Sequence, residues 1–344
     1  MNKLVEAWYQ GSPWLSLLKP LSTLFRWQAE KRRNAYLSGK KSSWRASVPV
    51  IVVGNISVGG VGKTPLVAWL AQILQEAGYK PGIVSRGYGS RAPRYPFDVS
   101  PDTNVIECGD EPMLLAQNTR CPVVIDADRV AAVQFLLKHH ACDLIISDDG
   151  MQHYALARDL EIAVIDGSRG LGNGLCLPAG PLREPPSRLQ EVDFILVNGE
   201  GFVPVQPHYR MSIVPGQLQN LVSKSSLPGN ALATQAPVHG VAGIGNPSRF
   251  FATLRSMGYQ VMEHEFPDHH QFRAKDLSFN DGLAVIITEK DAVKCAAIAH
   301  DQCWCLRVSA ELPALFKNAL IDRISVLSAH PKTNVKENEW IDDC

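Results

Sequence analysis

The sequence predicts an α/β fold on a mostly parallel sheet, arranged as two domains of which the second is the smaller. Three observations carry this. Short apolar runs alternate with amphipathic stretches from residue 48 to about residue 200, the pattern of strands linked by helices. From Gly199 to Ala236 the periodicity weakens while Pro, Ser, Gln and Asn accumulate, as in a connecting region. A second alternating run then extends from "VHGVAGIGNPSRFFATLRSMGY" to "LAVIITEKDAV". The expected division is residues 1–46, 47–200, 201–236, 237–330 and a tail over 331–344, and a chain of 344 residues suits two domains of ordinary size.

Residues 1–46 stand apart from the rest. Trp8, Tyr9, Trp14, Leu15, Leu17, Leu18, Leu21, Leu24, Phe25 and Trp27 are broken by Gly11, Pro13, Lys19 and Pro20. The run is too interrupted for the ~20 apolar residues of a membrane span. It also lacks the basic start and small-residue cleavage site of a secretory signal. Lys31, Arg32, Arg33, Lys40, Lys41 and Arg45 follow it. Apolar anchors with a basic flank predict an amphipathic helix lying in a membrane interface, beside anionic headgroups; an ordinary amphipathic helix packed on the core is the competing reading.

The first strand is Val48–Val53, a β-branched run of the kind buried on both faces of a parallel sheet. Thr64–Gly78 is a helix with Leu66, Trp69, Leu70, Ile73 and Leu74 on one face, Pro65 in its first turn and Gly78 at its end. The intervening "GNISVGGVGK" has the requirements of a phosphate-binding loop. Gly59, Gly60 and Gly62 allow successive backbone N–H groups to turn toward one anion, Lys63 reaches outer phosphates, and the Thr64 hydroxyl suits magnesium. Ser57 occupies the position of the outermost consensus glycine, so the loop runs Ser57, Val58, Gly59, Gly60, Val61, Gly62, Lys63, Thr64.

Further strands are expected at Gly82–Ser85, Pro122–Asp126, Asp143–Asp148 and Glu161–Asp166, with a helix over "RVAAVQFLLKHH". The strand in "DLIISDDG" ends in Asp148 and Asp149, and a carboxylate there belongs beside a nucleotide-bound magnesium ion. Adjacent residues of a strand point to opposite faces. One of the two therefore serves the metal and the other turns at the strand end. In "CGDEPMLLAQ", Asp110 and Glu111 precede a helical run, where carboxylates also act as caps. The "GIGNPSRF" turn lacks the third glycine of a dinucleotide fingerprint.

Composition restricts the partners. Lys plus Arg and Asp plus Glu are both 34, so no global charge points to nucleic acid. Cys108, Cys121, Cys142, Cys176, Cys295, Cys303, Cys305 and Cys344 form neither paired C-x-x-C spacing nor a compact framework, which argues for a reducing compartment and against structural zinc.

The motifs "GNISVGGVGKTP", "SRGYG", "GDEP", "SDDGMQHY", "LPAGPLREP", "FPDHHQF" and "TEKDAVK", in that order, resemble the tetraacyldisaccharide 4'-kinase family of Gram-negative bacteria. The resemblance spans nearly the whole chain, including the aromatic N-terminal segment. It implies transfer of the γ-phosphate of MgATP to the 4'-hydroxyl of tetraacyldisaccharide 1-phosphate, giving the lipid IVA precursor of lipid A. It also implies a P-loop three-layer α/β/α domain joined by a β-ribbon to the second α/β domain, with the active site between them. The location implied is peripheral, on the cytoplasmic face of the inner membrane, with no oligomer required.

Residue by residue, the resemblance makes Asp110 and His269 a catalytic pair alongside Lys63, prefers His269 to His270, and lets Asp268 orient their loop. It puts Glu184 with Thr64, Asp148 and Asp149 at the metal, and Arg86 and Arg183 at the substrate. A partner-regulated ATPase of the partitioning type is the alternative, since it shares G-G-x-G-K-T, but it carries a lysine where this chain has Val58.

Overall fold

The computed structural model describes residues 3–233 and 236–329; the tail over 331–344, with Cys344, lies outside them. In chain order the elements are α1 (Lys3–Gln10), α2 (Lys19–Leu37), β1 (Val50–Gly54), α3 (Lys63–Glu76), β2 (Pro81–Ser85), β3 (Phe97–Val99), α4 (Val105–Cys108), α5 (Asp110–Asn118), β4 (Val123–Ile125), α6 (Arg129–His139), β5 (Leu144–Asp148), β6 (Leu160–Asp166) and β7 (Phe194–Asn198). Then follow β8 (Tyr209–Asn220), β9 (Ser226–Leu227), β10 (Val238–Ala242), α7 (Pro247–Ser256), β11 (Val261–Glu265), β12 (Val285–Thr288), α8 (Glu289–Cys295), β13 (Cys303–Glu311) and α9 (Ala314–Ala329).

The strands form one mixed sheet in the order β3-β4-β2-β5-β1-β6-β7-β8-β13-β12-β10-β11, with β9 beside β8. β1 lies between β5 and β6, parallel to both. All five of its residues are buried because both faces are covered. Ile51 and Val53 face a core with Leu66, Leu70 and Leu74 of α3, whereas Val50 and Val52 face another with Val133 and Leu136 of α6. That alternation makes the layers α/β/α.

β8 joins the two halves of the sheet. Its first residues pair in parallel with β7 and its remainder runs antiparallel to β13. The stretch looked aperiodic because its neighbours and its exposure change along its length. The last helix, α9, returns to the first half: Phe316, Leu320 and Ile324 are buried in the core of β1 and α3, and Phe316 stacks on Trp69 at 5.8 Å.

The N-terminal segment divides its apolar residues between two surroundings. Trp8 and Leu15 are buried, and the Trp8 indole donates to the Pro178 carbonyl at 3.0 Å. Trp14, Leu17, Leu21, Leu24 and Trp27 are exposed, Leu17 at 80%. The chain breaks at Gly11–Pro13, and within the 3-10 turn over Pro13–Leu18 that follows, Leu15 points inward while Trp14 and Leu17 point outward. No helix among the described residues is long and apolar enough to cross a membrane.

Candidate active site

The phosphate-loop sequence lies between β1 and α3, with Gly59 and Gly62 at φ +101° and +93°, in the region that favours glycine. Ser57 is accommodated because this end of the loop is paired like a strand. It bridges Leu182 antiparallel, Val58 N–H donates to the Pro181 carbonyl at 2.8 Å, and Arg183 N–H donates to the Ile56 carbonyl at 2.6 Å. No positive φ is needed at Ser57. The "LPAGPLREP" segment thus braces the loop and delivers Arg183 and Glu184 beside it.

Lys63 Nζ donates to Asn55 Oδ1 at 2.9 Å and lies 3.2 Å from Asp149 Oδ1. Asp149 adopts φ +49°, a left-handed turn that swings its carboxylate toward Lys63 and Arg183, the latter at 3.1 Å. Burial opposes its ionisation, but the Lys63 and Arg183 charges outweigh burial and hold the carboxyl down to about 2. Asp148 stays on the buried strand end, where Oδ2 accepts from the Ser85 hydroxyl at 3.2 Å. Burial and the Glu111 carboxylate push it up to about 7.

A divalent cation fits this donor set. Oδ1 of Asp148 is buried without a hydrogen-bond partner among the described residues. Among those residues no three Asp, Glu, His or Cys side chains gather as a complete metal cage. Magnesium does not require one, since it takes one or two carboxylates together with phosphate oxygens and water. Glu184 is 3% exposed and accepts from Gln152 at 3.0 Å and, through a short hydrogen bond, from the Tyr154 hydroxyl.

Asp110 opens α5, which packs against α3 in the same half of the sheet, and His269 is carried by the loop after β11 in the other half. His269 Nδ1 stands 3.2 Å from Asp110 Oδ2. The loop supports the imidazole through His269 φ +60° and through the His269 N–H, which donates to Asp268 Oδ1 at 3.0 Å. His270 instead meets Asp276 at 3.2 Å. Successive turns of α8 add cations: Lys294 lies 3.6 Å from Asp110, and Lys290 lies 3.0 Å from Glu111. Burial raises the Asp110 pKa, but the His269 hydrogen bond and the two lysines more than offset it, leaving the carboxyl below its ordinary value.

One cavity of about 860 Å³ connects these groups. The phosphate loop, Asp149, Arg86, Arg183, Glu184 and His269 line it, as do Phe25, Gln28, Ala29 and Arg32 of α2. Arg86 is exposed at its edge. The structure therefore gathers Lys63, Asp148, Asp149, Arg183 and Glu184 around the phosphate loop and joins Asp110, from the same half of the sheet, to His269 from the other half. Sequence reasoning missed Asn55, Tyr154, Lys290, Asn198 and Arg249. Asn55, Tyr154 and Lys290 lay inside the motifs already singled out and Arg249 inside the "GIGNPSRF" turn, whereas Asn198 had no local signal.

A glycine-rich loop between a central parallel strand and a helix, facing paired carboxylates, defines a P-loop nucleotide-binding protein of the α/β class. The sequence profile of the tetraacyldisaccharide-1-P 4'-kinase family matches residues 14–325. Tetraacyldisaccharide 4'-kinase of Azotobacter vinelandii is 50% identical over 309 residues, covering 90% of this chain and 92% of its own. That of Alkalilimnicola ehrlichii is 49% identical over 336 residues, covering 97% and 100%. The crystal structure of LpxK from Aquifex aeolicus in complex with ATP superposes with a TM-score of 0.77 at 30% identity, covering 90% of this chain and 99% of that one. The chain belongs to the tetraacyldisaccharide-1-P 4'-kinase family.

Proposed function

We propose that this protein transfers the γ-phosphate of ATP to the 4'-hydroxyl of tetraacyldisaccharide 1-phosphate, yielding the lipid IVA precursor in lipid A biosynthesis. The observation that carries the chemistry is the single cavity uniting the phosphate loop, His269 of the Asp110 pair and the inner face of α2. A lipid with a sugar head needs a polar site open to an apolar surface, and the exposed Trp14, Leu17, Leu21, Leu24 and Trp27 provide one next to it. In this reading the N-terminal segment rests peripherally on the cytoplasmic leaflet of the inner membrane. The catalytic unit is 47–200, 201–236 contains the linking ribbon, and 237–330 supplies the facing wall.

The backbone N–H groups of Gly59 to Thr64 hold the β- and γ-phosphates, and Lys63 exchanges its contacts with Asn55 and Asp149 for phosphate oxygens. Thr64, Asp148 and Asp149 would hold magnesium, with Glu184 at the edge of its shell. The ion, when bound, neutralises charge on the outer phosphates. Arg86 and Arg183 orient the acidic parts of the acceptor. Asp110 takes the proton of the 4'-hydroxyl as the bond to phosphorus forms, and His269 aims that carboxylate through Nδ1. The depressed pKa of Asp110 keeps it ionised at neutral pH, and a proton that moves late in a loose transition state does not require a strong base.

The test is ATP turnover with the lipid acceptor in detergent and without it. The expected result is ADP formed one for one with phosphorylated lipid and only with the acceptor present. ADP released at the same rate without lipid is the behaviour of a partner-regulated ATPase and would overturn the reading.

A further inference from the structure

The C-terminal ends of β6 and β7 present two acceptors side by side, because Asp166 and Asn198 are register partners. Arg249, on the first turn of α7 in the other half of the sheet, points its guanidinium at both. Its Nη2 donates to Asn198 Oδ1 at 2.8 Å, and its Nη1 lies 4.0 Å from Asp166 Oδ2. That Asp166 oxygen is buried and has no hydrogen-bond partner among the described residues. Asn198 is 1% exposed, and its other terminus, Nδ2, donates to the Val61 carbonyl of the phosphate loop at 2.9 Å.

Both ends of the Asn198 amide are thus committed. Flipping it would set its NH₂ against the guanidinium and its oxygen against a carbonyl, so its orientation follows from its partners. The amide also touches the loop: a Cβ at Gly62 would lie 2.5 Å from Asn198 Nδ2. The "GIGN" turn that leads into α7 abuts the same loop, since a Cβ at Gly245 would lie 3.2 Å from Gly60 N, and Arg169 Nη2 ties the Gly245 carbonyl at 2.8 Å.

We infer that Arg249 is a positioning residue: acting through Asn198, it fixes the Val61 carbonyl, keeps the neighbouring loop N–H groups facing the nucleotide phosphates, and couples that loop to the far wall of the cleft. The inference rests on the phosphate-loop assignment proposed above, though not on the identity of the acceptor. Holding the carbonyl on Asn198 leaves the opposite face of those peptides to donors. Losing the guanidinium frees the amide to rotate, and the loop then pays the ordering cost when nucleotide binds.

The test uses the full chain in detergent with Arg249→Ala, Arg249→Lys, Asn198→Ala and the double variant. Nucleotide affinity is read by calorimetry with ATP and magnesium without lipid, and kcat and the two KM values are read with lipid. Arg249→Ala is expected to weaken ATP binding at least tenfold while the lipid KM moves less than twofold. Arg249→Lys should recover part of the loss, since an ammonium donates to Asn198 Oδ1 without the fork. The double variant should bind ATP no more weakly than Asn198→Ala alone. Unchanged ATP affinity in Arg249→Ala, fully multiplicative losses, or an equal fall in the unliganded thermal midpoint for every variant would each overturn the inference. Wild-type protein that binds ATP but phosphorylates no lipid would refute the proposed acceptor and leave this coupling standing.

Discussion

Nδ1 of His269 lies 3.2 Å from Oδ2 of Asp110, a contact that joins residues 159 positions apart and closes one side of the cleft. The imidazole and carboxylate share one hydrogen bond, so they are expected to act as a unit. Asp110→Ala and His269→Ala should each lower kcat by about two to four orders of magnitude with little change in ATP affinity. The double variant should be scarcely worse than the poorer single one. Steady-state kinetics of the three variants check this, and multiplicative losses would separate the roles.

Lys63→Ala should abolish phosphoryl transfer while leaving the far-UV spectrum unchanged, because the glycine backbone survives without its cation. Single-turnover assays at saturating ATP distinguish this from a binding defect. Near-normal turnover would remove Lys63 from the reaction.

Asp148 gives a pH signature. Its carboxyl is pushed up to about 7 by burial and Glu111, and a cation needs the ionised form. Below about pH 7 protons compete, so the magnesium concentration for half-maximal rate should climb as pH falls, approaching about tenfold per unit. Titrating magnesium at several pH values tests this. A flat requirement between pH 5.5 and 7.5 (roughly the range in which such a group titrates) would mean that Asp148 is not a ligand.

Asp149 works in the opposite direction. Its pKa falls from 3.8 unfolded to about 2 folded, so its contribution is full above the unfolded value and is lost as pH falls through about 2. Asp149→Asn should cost on the order of 1–2 kcal/mol near neutrality after solvent screening. In denaturant titrations the difference from wild type should shrink toward zero in strong acid. A constant difference at all pH values would refute the charge-pair explanation.

The N-terminal segment yields a paired comparison. Trp14→Ser with Leu17→Ser and Leu21→Ser should sharply reduce sedimentation with anionic vesicles at an unchanged thermal midpoint, because those side chains are exposed. Trp8→Ala should instead destabilise by about 3–5 kcal/mol through the cavity it leaves. Deleting residues 1–30 would do both at once, so it cannot separate anchoring from folding.

The parts of the site that were legible are those whose residues lie close in sequence. Ser57 to Thr64 could be read from a strand, glycines and a helix in succession, and Asp148 with Asp149 from an apolar strand ending in charge. Why Ser57 replaces glycine was not legible, because the reason is pairing with Leu182 far along the chain. The left-handed turn at Asp149, which swings its carboxylate toward Lys63 and Arg183 while Asp148 stays on the buried strand end, has no signature beyond the following glycine. The amphipathic pattern of the first helices announced an apolar face without distinguishing Trp8, which packs inward, from Trp14, which does not. Asn198 and Arg249 meet only through the topology of the sheet.

The return of α9 to the first half of the sheet has a consequence for biogenesis. The hydrophobic layer begun by Ile51 and Leu66 is completed by Phe316, Leu320 and Ile324, so nearly the whole chain must leave the ribosome before that layer can close. Until then Trp69 and the apolar side of α3 lack a cover, while the exposed leucines and tryptophans of the N-terminal segment have already emerged. Domains that are synthesised first commonly fold first. Here the early half must wait, as a partly open intermediate with apolar surface accessible to chaperones or to the bilayer, for a helix made near the end of translation.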